Sequence, residues 1–210
     1  FTTLVAPGPG VGDLLVQDKR VDLVSFTGST KIGRLVAEAV SKRFGKTILE
    51  LGGNNAVIVC DDADLELTIK GCLFSAAGTA GQRCTTLRRL YVHEKVYDKV
   101  RDALVTGYKS IRIGDPLSDD TLIGPLHTKH GITIFEDGLK RIQEQGGKIV
   151  SGGKRHDALP DGNYVLPTIV EMDPKAPIVK EELFVPILYI FKFSTLDEAI
   201  AYNNDVPQGL

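Results

Sequence analysis

The segment VDLVSFTGSTKIGRLVAEAVSKRFGKTILELGG, residues 21–53, decides the fold class. Val21–Phe26 is β-branched and alternating, the pattern of a strand. Thr27, Gly28, Ser29 and Thr30 turn it into a helix, in which Ile32, Leu35, Val36, Ala39 and Val40 recur at the spacing that lays one apolar stripe against a sheet. Gly45 is expected to end that helix, and Lys46–Leu51 reads as the next strand. Strand, helix and strand in this order predict a parallel crossover, half of a nucleotide-binding architecture.

The alternation continues outward. Ala56–Cys60 reads as a strand, and the carboxylates of AspAspAlaAspLeu (61–65) suit the positive end of a helix running to about Ala77, with Leu65, Ile69, Cys72, Leu73 and Ala76 as its buried face. After the polar, glycine-rich stretch GTAGQRCTT (78–86) come a strand near Arg88–His93 and a helix near Lys95–Lys109. A helix over Lys129–Gln145, a strand over Lys148–Ser151, an extended run Tyr164–Glu171 and a strand Ile187–Phe193 follow. Ser194 or Thr195, each with an acidic residue three positions on, opens a final helix by a capping box. The class is α/β. The longest loop, Gly152–Asn163, is short for a linker, so the domain boundary is placed at Gly52 and Gly53, giving domains 1–52 and 53–210. Phe1 opens on a strand-like segment and ProGlnGlyLeu (207–210) closes directly after a helix, so an internal fragment is expected.

With 42% hydrophobic and 25% charged residues the composition is that of an ordinary globular chain able to bury a core. The net charge of -2 with scattered basic residues carries no footprint for nucleic acid or an anionic membrane, so a small soluble partner is the default. No apolar run approaches bilayer length, and FTTLVAPGPG lacks the pattern of a signal peptide. Cys60, Cys72 and Cys84 are odd in number and form no CxxC pair, which argues against disulfides and zinc and for a reducing compartment, cytoplasm or mitochondrial matrix.

Several segments could carry chemistry. SFTGSTKIG (25–33) places backbone N–H groups at a helix start, which suits either a phosphate or a plain N-cap. ProGlyProGlyValGly (7–12) misses the dinucleotide fingerprint because Asp13 stands where its last glycine belongs, and SerGlyGlyLysArg (151–155) misses the P-loop. Asp61, Asp62 and Asp64 read as helix caps, and His127 and His130 as surface residues, so no metal is expected. Cys60 and Cys72 lie on apolar faces, as small hydrophobes do. Cys84, between Arg83 and Thr85, sits where a cation and backbone donors favour a thiolate, so nucleophile and structural residue both stay open. Glu50, in ThrIleLeuGluLeuGlyGly, is either a buried carboxylate with a raised pKa, suited to a general base, or an edge-strand residue facing water.

In combination these segments resemble the aldehyde dehydrogenase superfamily. SFTGSTKIG resembles its cofactor turn, LELGG its base motif at Glu50 and GTAGQRC its nucleophile motif at Cys84, with the family's interval of 84 − 50 = 34 residues. LysGluGluLeuPheValPro (180–186) resembles its EEIFGP segment, with Val185 replacing the usual glycine, and AsnAsn (203–204) with Gly209 and Leu210 resembles a later motif, with Gln208 where many members have tyrosine. The resemblance implies a fragment of a Rossmann-type cofactor domain followed by an α/β catalytic domain. It implies NAD or NADP held by Gly28, Ser29, Ile32, Leu51, Gly52, Glu182 and Phe184. Cys84 would attack the aldehyde carbon, and Glu50 would activate the water that hydrolyses the thioester.

LELGGNNA, GTAGQRCTT, GPLHTKH and the Gln208-Gly209 pair resemble most the branch acting on α-aminoadipic semialdehyde in lysine catabolism, known as antiquitins, which favours NAD. In that branch the residue matching Arg83 binds the substrate's carboxylate, the alternative being a local ion pair. A homo-oligomer, dimer or tetramer, is implied. The family's oxyanion-hole asparagine lies upstream of Phe1, so the isolated chain is expected to be inactive. A CoA-acylating relative and an inert chain with only assembly surfaces are the alternatives, and Glu50 favours hydrolysis over acylation.

Overall fold

A computed structural model describes residues 2–5 and 8–210. Phe1 and Pro7 lie outside the described residues, so the reading of Phe1 and the first position of ProGlyProGlyValGly fall there, while Thr2–Val5 form no regular element where a strand was expected. The chain divides into two compact units, Phe1–Gly52 and Gly53–Leu210.

In the first unit a π-helical turn Gly8–Gly12 leads into α1 (Asp13–Gln17), then β1 (Leu23–Thr27), α2 (Thr30–Ser41) and β2 (Lys46–Glu50). β1 and β2 pair in parallel, Leu23 opposite Lys46 through Thr27 opposite Glu50, as the crossover pattern predicts. Ser29 caps α2 by accepting from the Ile32 N–H at 3.3 Å. The helix ends differently from expectation, because the left-handed residue is Phe44 (φ 60°). The Phe44 N–H donates to Ser41 O at 3.0 Å and the Gly45 N–H to Val40 O at 3.1 Å, the double bond of a Schellman close. Val36 and Val40 are buried, whereas Ile32 and Leu35 stay 44% and 55% exposed, so only part of the expected stripe is covered by this sheet.

The second unit is a five-stranded sheet in the order β3-β4-β7-β6-β5, with β3 (Asn55–Val59), β4 (Leu87–His93), β5 (Lys148–Ser151), β6 (Thr168–Glu171) and β7 (Ile187–Phe193). All neighbours run parallel except β5, which pairs antiparallel with β6. The central strands β4 and β7 are buried almost end to end, as strands covered on both faces must be. Around them pack α3 (Leu65–Ala77), α4 (Tyr97–Lys109), α5 (Lys129–Glu144) and α6 (Leu196–Asn204). Asp64 caps α3 through the Leu67 N–H (3.1 Å), and on α6 Thr195 Oγ1 accepts the Glu198 N–H at 3.3 Å while the Glu198 carboxylate accepts the Ser194 N–H at 2.9 Å, so the return bond of the expected capping box goes to the residue before the cap. α4 begins at Tyr97 rather than Lys95, and only the end of the extended run 164–171 becomes a strand. Among the described residues no helix is long and apolar enough to cross a membrane.

Candidate active site

In the second unit, α3 delivers the chain into the loop that carries Cys84. Gly78–Gly81 forms a 3-10 turn in which Thr79 (φ 57°), Ala80 (φ 53°) and Gly81 (φ 71°) are successively left-handed. For Thr79 and Ala80 this costs about 1–2 kcal/mol each, so the surroundings must hold it. They do so by close contact. A methyl group on Gly81 would lie 2.5 Å from the Val185 carbonyl, and one on Gly53 would lie 2.3 Å from Cys84 O. Asn55 Nδ2 donates to Cys84 O at 2.6 Å and to Thr86 O at 3.0 Å, fixing the peptide on the far side of the nucleophile candidate. Among the described residues the Cys84 N–H donates to no protein acceptor.

Cys84 is half-buried, whereas Cys72 is buried in the α3 face and its thiol is pushed up to about 11 by desolvation. Cys60, expected on an apolar face, follows β3 and is only half-buried. Arg83 is oriented through its Nε, which donates to Thr79 Oγ1 at 2.6 Å, and its guanidinium lies 5.0 Å over the Phe74 ring. Among the described residues it makes no ion pair; a hydroxyl and a ring hold it. Its Nη1 and Nη2 donate to no described residue.

Arg88 was not singled out in the sequence, yet it is the hub of this unit's polar network. Its side chain is 3% exposed. Nη1 donates to Thr86 O at 3.0 Å, and Nη2 to Arg83 O at 2.9 Å and to Gly81 O at 3.4 Å. Nη2 also lies 3.4 Å from Glu182 Oε1, which accepts the Gly53 N–H at 3.1 Å. Burial lowers the Arg88 pKa from its ordinary value, while the charges of Glu182 and Cys84 oppose that shift. Phe184, left-handed at φ 57° and 44% exposed, stacks 5.7 Å from the Arg88 guanidinium and lines a cleft of about 400 Å³ with Gln82, His127 and Ile134. The signal for Arg88 was present as LeuArgArgLeuTyrVal, a charge pair inside an apolar strand. Arg89 uses its charge on backbone carbonyls of Asn54, Tyr202 and Asn203. Asn55 carried no such signal.

The first unit brings together the other predicted residues. β1 ends beside β2, so the Gly28 N–H donates to Glu50 O at 3.0 Å. Glu50 itself is exposed, so of the two readings its sequence left open the strand residue facing water is the one that forms: β2 pairs only with β1 among the described strands, and the Glu50 side chain takes the outward step of its alternation. Leu51 packs where Gly33 of α2 has no side chain, since a methyl there would meet Leu51 Cδ2 at 2.3 Å, and Gly52 follows half-buried. Ile32, Leu35, Val36, Val16 and Phe26 line an apolar cleft of about 470 Å³ next to the α2 N-terminus that Ser29 caps. Among the described residues no group of three His, Cys, Asp or Glu side chains could hold a metal ion.

Against known proteins, residues 1–210 match the aldehyde dehydrogenase family. A putative aldehyde dehydrogenase family 7 member A1 homolog of Dictyostelium discoideum is 56% identical over 207 residues, covering 99% of this chain and 40% of that protein. The α-aminoadipic semialdehyde dehydrogenase of Bos taurus is 50% identical over 209 residues, covering 99% of this chain and 38% of that protein. A crystal structure of betaine aldehyde dehydrogenase from Staphylococcus aureus in complex with NAD+ superposes with a TM-score of 0.95 at 35% identity, over 99% of this chain and 42% of the other. The chain thus spans about 40% of the length of these relatives. A match along all 210 residues, on an α/β fold shared with a solved family member, means that this chain belongs to the aldehyde dehydrogenase family.

Proposed function

We propose that the protein containing this chain oxidises an aldehyde to a carboxylic acid with NAD, and that Cys84 is its nucleophile. The observation that carries this reading is the Cys84 peptide: its carbonyl is pinned by Asn55, while among the described residues its N–H donates to no protein group and stays available to an oxyanion. The Cys84 thiolate adds to the aldehyde carbon, and the resulting thiohemiacetal oxygen accepts from that N–H. NAD, when bound, would supply the hydride acceptor that lets the thiohemiacetal become a thioester on Cys84. Water, deprotonated by Glu50, then cleaves the thioester to the acid and the free thiol.

The chain's own groups fit the dinucleotide. The apolar cleft bounded by Ile32 and Val36 offers a flat ring a dry surface, and the N–H groups at the start of α2 beside Gly28 and Ser29 offer phosphate donors. Glu182 uses Oε1 on protein donors, and among the described residues its Oε2 accepts none, which leaves it for a ribose hydroxyl. Phe184 supplies an exposed ring for the nicotinamide. For the substrate we assign a semialdehyde with a carboxylate end, supported by Nη1 and Nη2 of Arg83, a fork that matches a carboxylate and that has no partner among the described residues, and by the α-aminoadipic semialdehyde dehydrogenase name of the bovine relative.

The test is NAD-dependent oxidation by the complete gene product on carboxylated and simple aldehydes, with and without CoA. Cys84→Ala should abolish turnover, and Arg83→Ala should lower kcat/KM by about tenfold or more for the carboxylated substrates only, as expected for a lost charged hydrogen bond. Turnover retained in Cys84→Ala overturns the mechanism, equal losses on both substrate classes remove Arg83 from recognition, and a requirement for CoA removes hydrolysis by Glu50.

A further inference from the structure

We propose that Arg88 is a positioning residue that locks the loop of Cys84 to the carboxylate of Glu182, so that one buried guanidinium sets both the nucleophile and the cofactor-binding acid. This rests on the function proposed above and adds a residue to it that neither the motifs nor the site roles required.

A buried arginine is costly unless its donors are used, and the way this one uses them is informative. Three of its bonds go to carbonyls of Gly81, Arg83 and Thr86, which bracket Cys84 on both sides. None of these acceptors is charged, so they hold geometry and leave the positive charge unneutralised. The only carboxylate within ion-pair distance of Arg88 among the described residues is Glu182, at 3.4 Å, and Glu182 is itself held by the Gly53 N–H, whose residue has no room for a side chain against Cys84 O. Loop, Gly53, Glu182 and Arg88 therefore form a closed ring of contacts. A fork-shaped guanidinium can close it. An ammonium has donors on a single nitrogen and reaches one side or the other. Among the described residues Arg88 Nε is buried without an acceptor, so all the bonds this side chain makes run through its two terminal nitrogens.

Two routes of action follow, and they separate in kinetics. Through Glu182, Arg88 acts on NAD binding; through the loop carbonyls, it acts on the placement of Cys84. Arg88→Met, Arg88→Lys, Glu182→Gln and the double variant Arg88→Met/Glu182→Gln are made in the complete gene product, with the active-site titre taken from the first-turnover burst of NADH. Per titrated site, Arg88→Met should raise KM for NAD about tenfold and lower kcat by a similar factor. In the Glu182→Gln background the same change should move KM for NAD less than about twofold while still lowering kcat, because only the Glu182 route has been removed. Arg88→Lys, which keeps the charge near Glu182, should restore KM for NAD to within about threefold but not kcat, and it serves in the same cycle if the Met variant does not fold. Equal effects on KM in both backgrounds, or a loss confined to the titre with unchanged constants per site, overturn the positioning role while leaving the enzyme reading intact. A wild-type protein without NAD-dependent aldehyde oxidation overturns both.

Discussion

A methyl group at Gly81 would have two faults at once, a left-handed backbone at φ 71° and a contact of 2.5 Å with the Val185 carbonyl. Neither can be relieved by rotating a side chain, because the opposing atoms are backbone. Gly81→Ala should therefore destabilise the protein by about 2 kcal/mol or more, read as a shift of the urea midpoint, and should slow alkylation of Cys84 by displacing its loop. A shift under about 0.5 kcal/mol would show that the loop is not held by this contact. At this scale the sequence was readable in part. Cys84 stood out because its neighbours are polar, and Cys72 was correctly placed on an apolar face. Glu50 shows the limit: its apolar neighbours left burial and a water-facing edge both open, because alternation along a strand puts successive side chains on opposite sides, and whether a side is covered depends on other elements. Arg88 shows it from the other direction, since a strand arginine is the type most often found at a surface.

At the scale of elements the legible signals were those whose physics is local. The capping oxygens of Ser29, Asp64 and Thr195 each bond an N–H within the next three residues, so they can be recognised from spacing alone. Asp64→Ala should cost about 1 kcal/mol of stability in chemical denaturation, whereas Asp64→Asn, which keeps an acceptor, should cost less than half of that. Equal losses for the two would mean that charge at the helix end outweighs the hydrogen bond. The close of α2 was misplaced by one residue because a glycine is the usual left-handed residue there, while this chain puts Phe44, 98% exposed, in that conformation and leaves Gly45 to pack against Val40. The run 164–171 was overextended for a related reason: extended backbone becomes a strand only where a partner strand runs beside it, and β7 begins opposite Thr168.

At the scale of the whole molecule, the two units bury their apolar residues to different degrees. In Gly53–Leu210 the side chains of Tyr91, Phe135, Leu90 and Ile169 are fully enclosed, while in Phe1–Gly52 large apolar residues such as Leu35 remain about half exposed. Phe135→Ala should lower the stability of the second unit by about 3–5 kcal/mol, seen as faster hydrogen exchange of β4 and β7 amides, and Leu35→Ala should change first-unit exchange by less than about 1 kcal/mol. Comparable effects would contradict this division of the core. The sequence by itself determined the α/β class, the order of strands and helices, the parallel crossover of β1 and β2 and the family, because periodicity, capping and motif spacing are carried by neighbouring residues. Only the tertiary structure decided the strand order β3-β4-β7-β6-β5, the exposure of Glu50 and the ring that joins Gly53, Glu182 and Arg88 to the Cys84 loop. These depend on contacts between residues as far apart as 53 and 182, and no local propensity encodes which distant group will fill a donor's geometry.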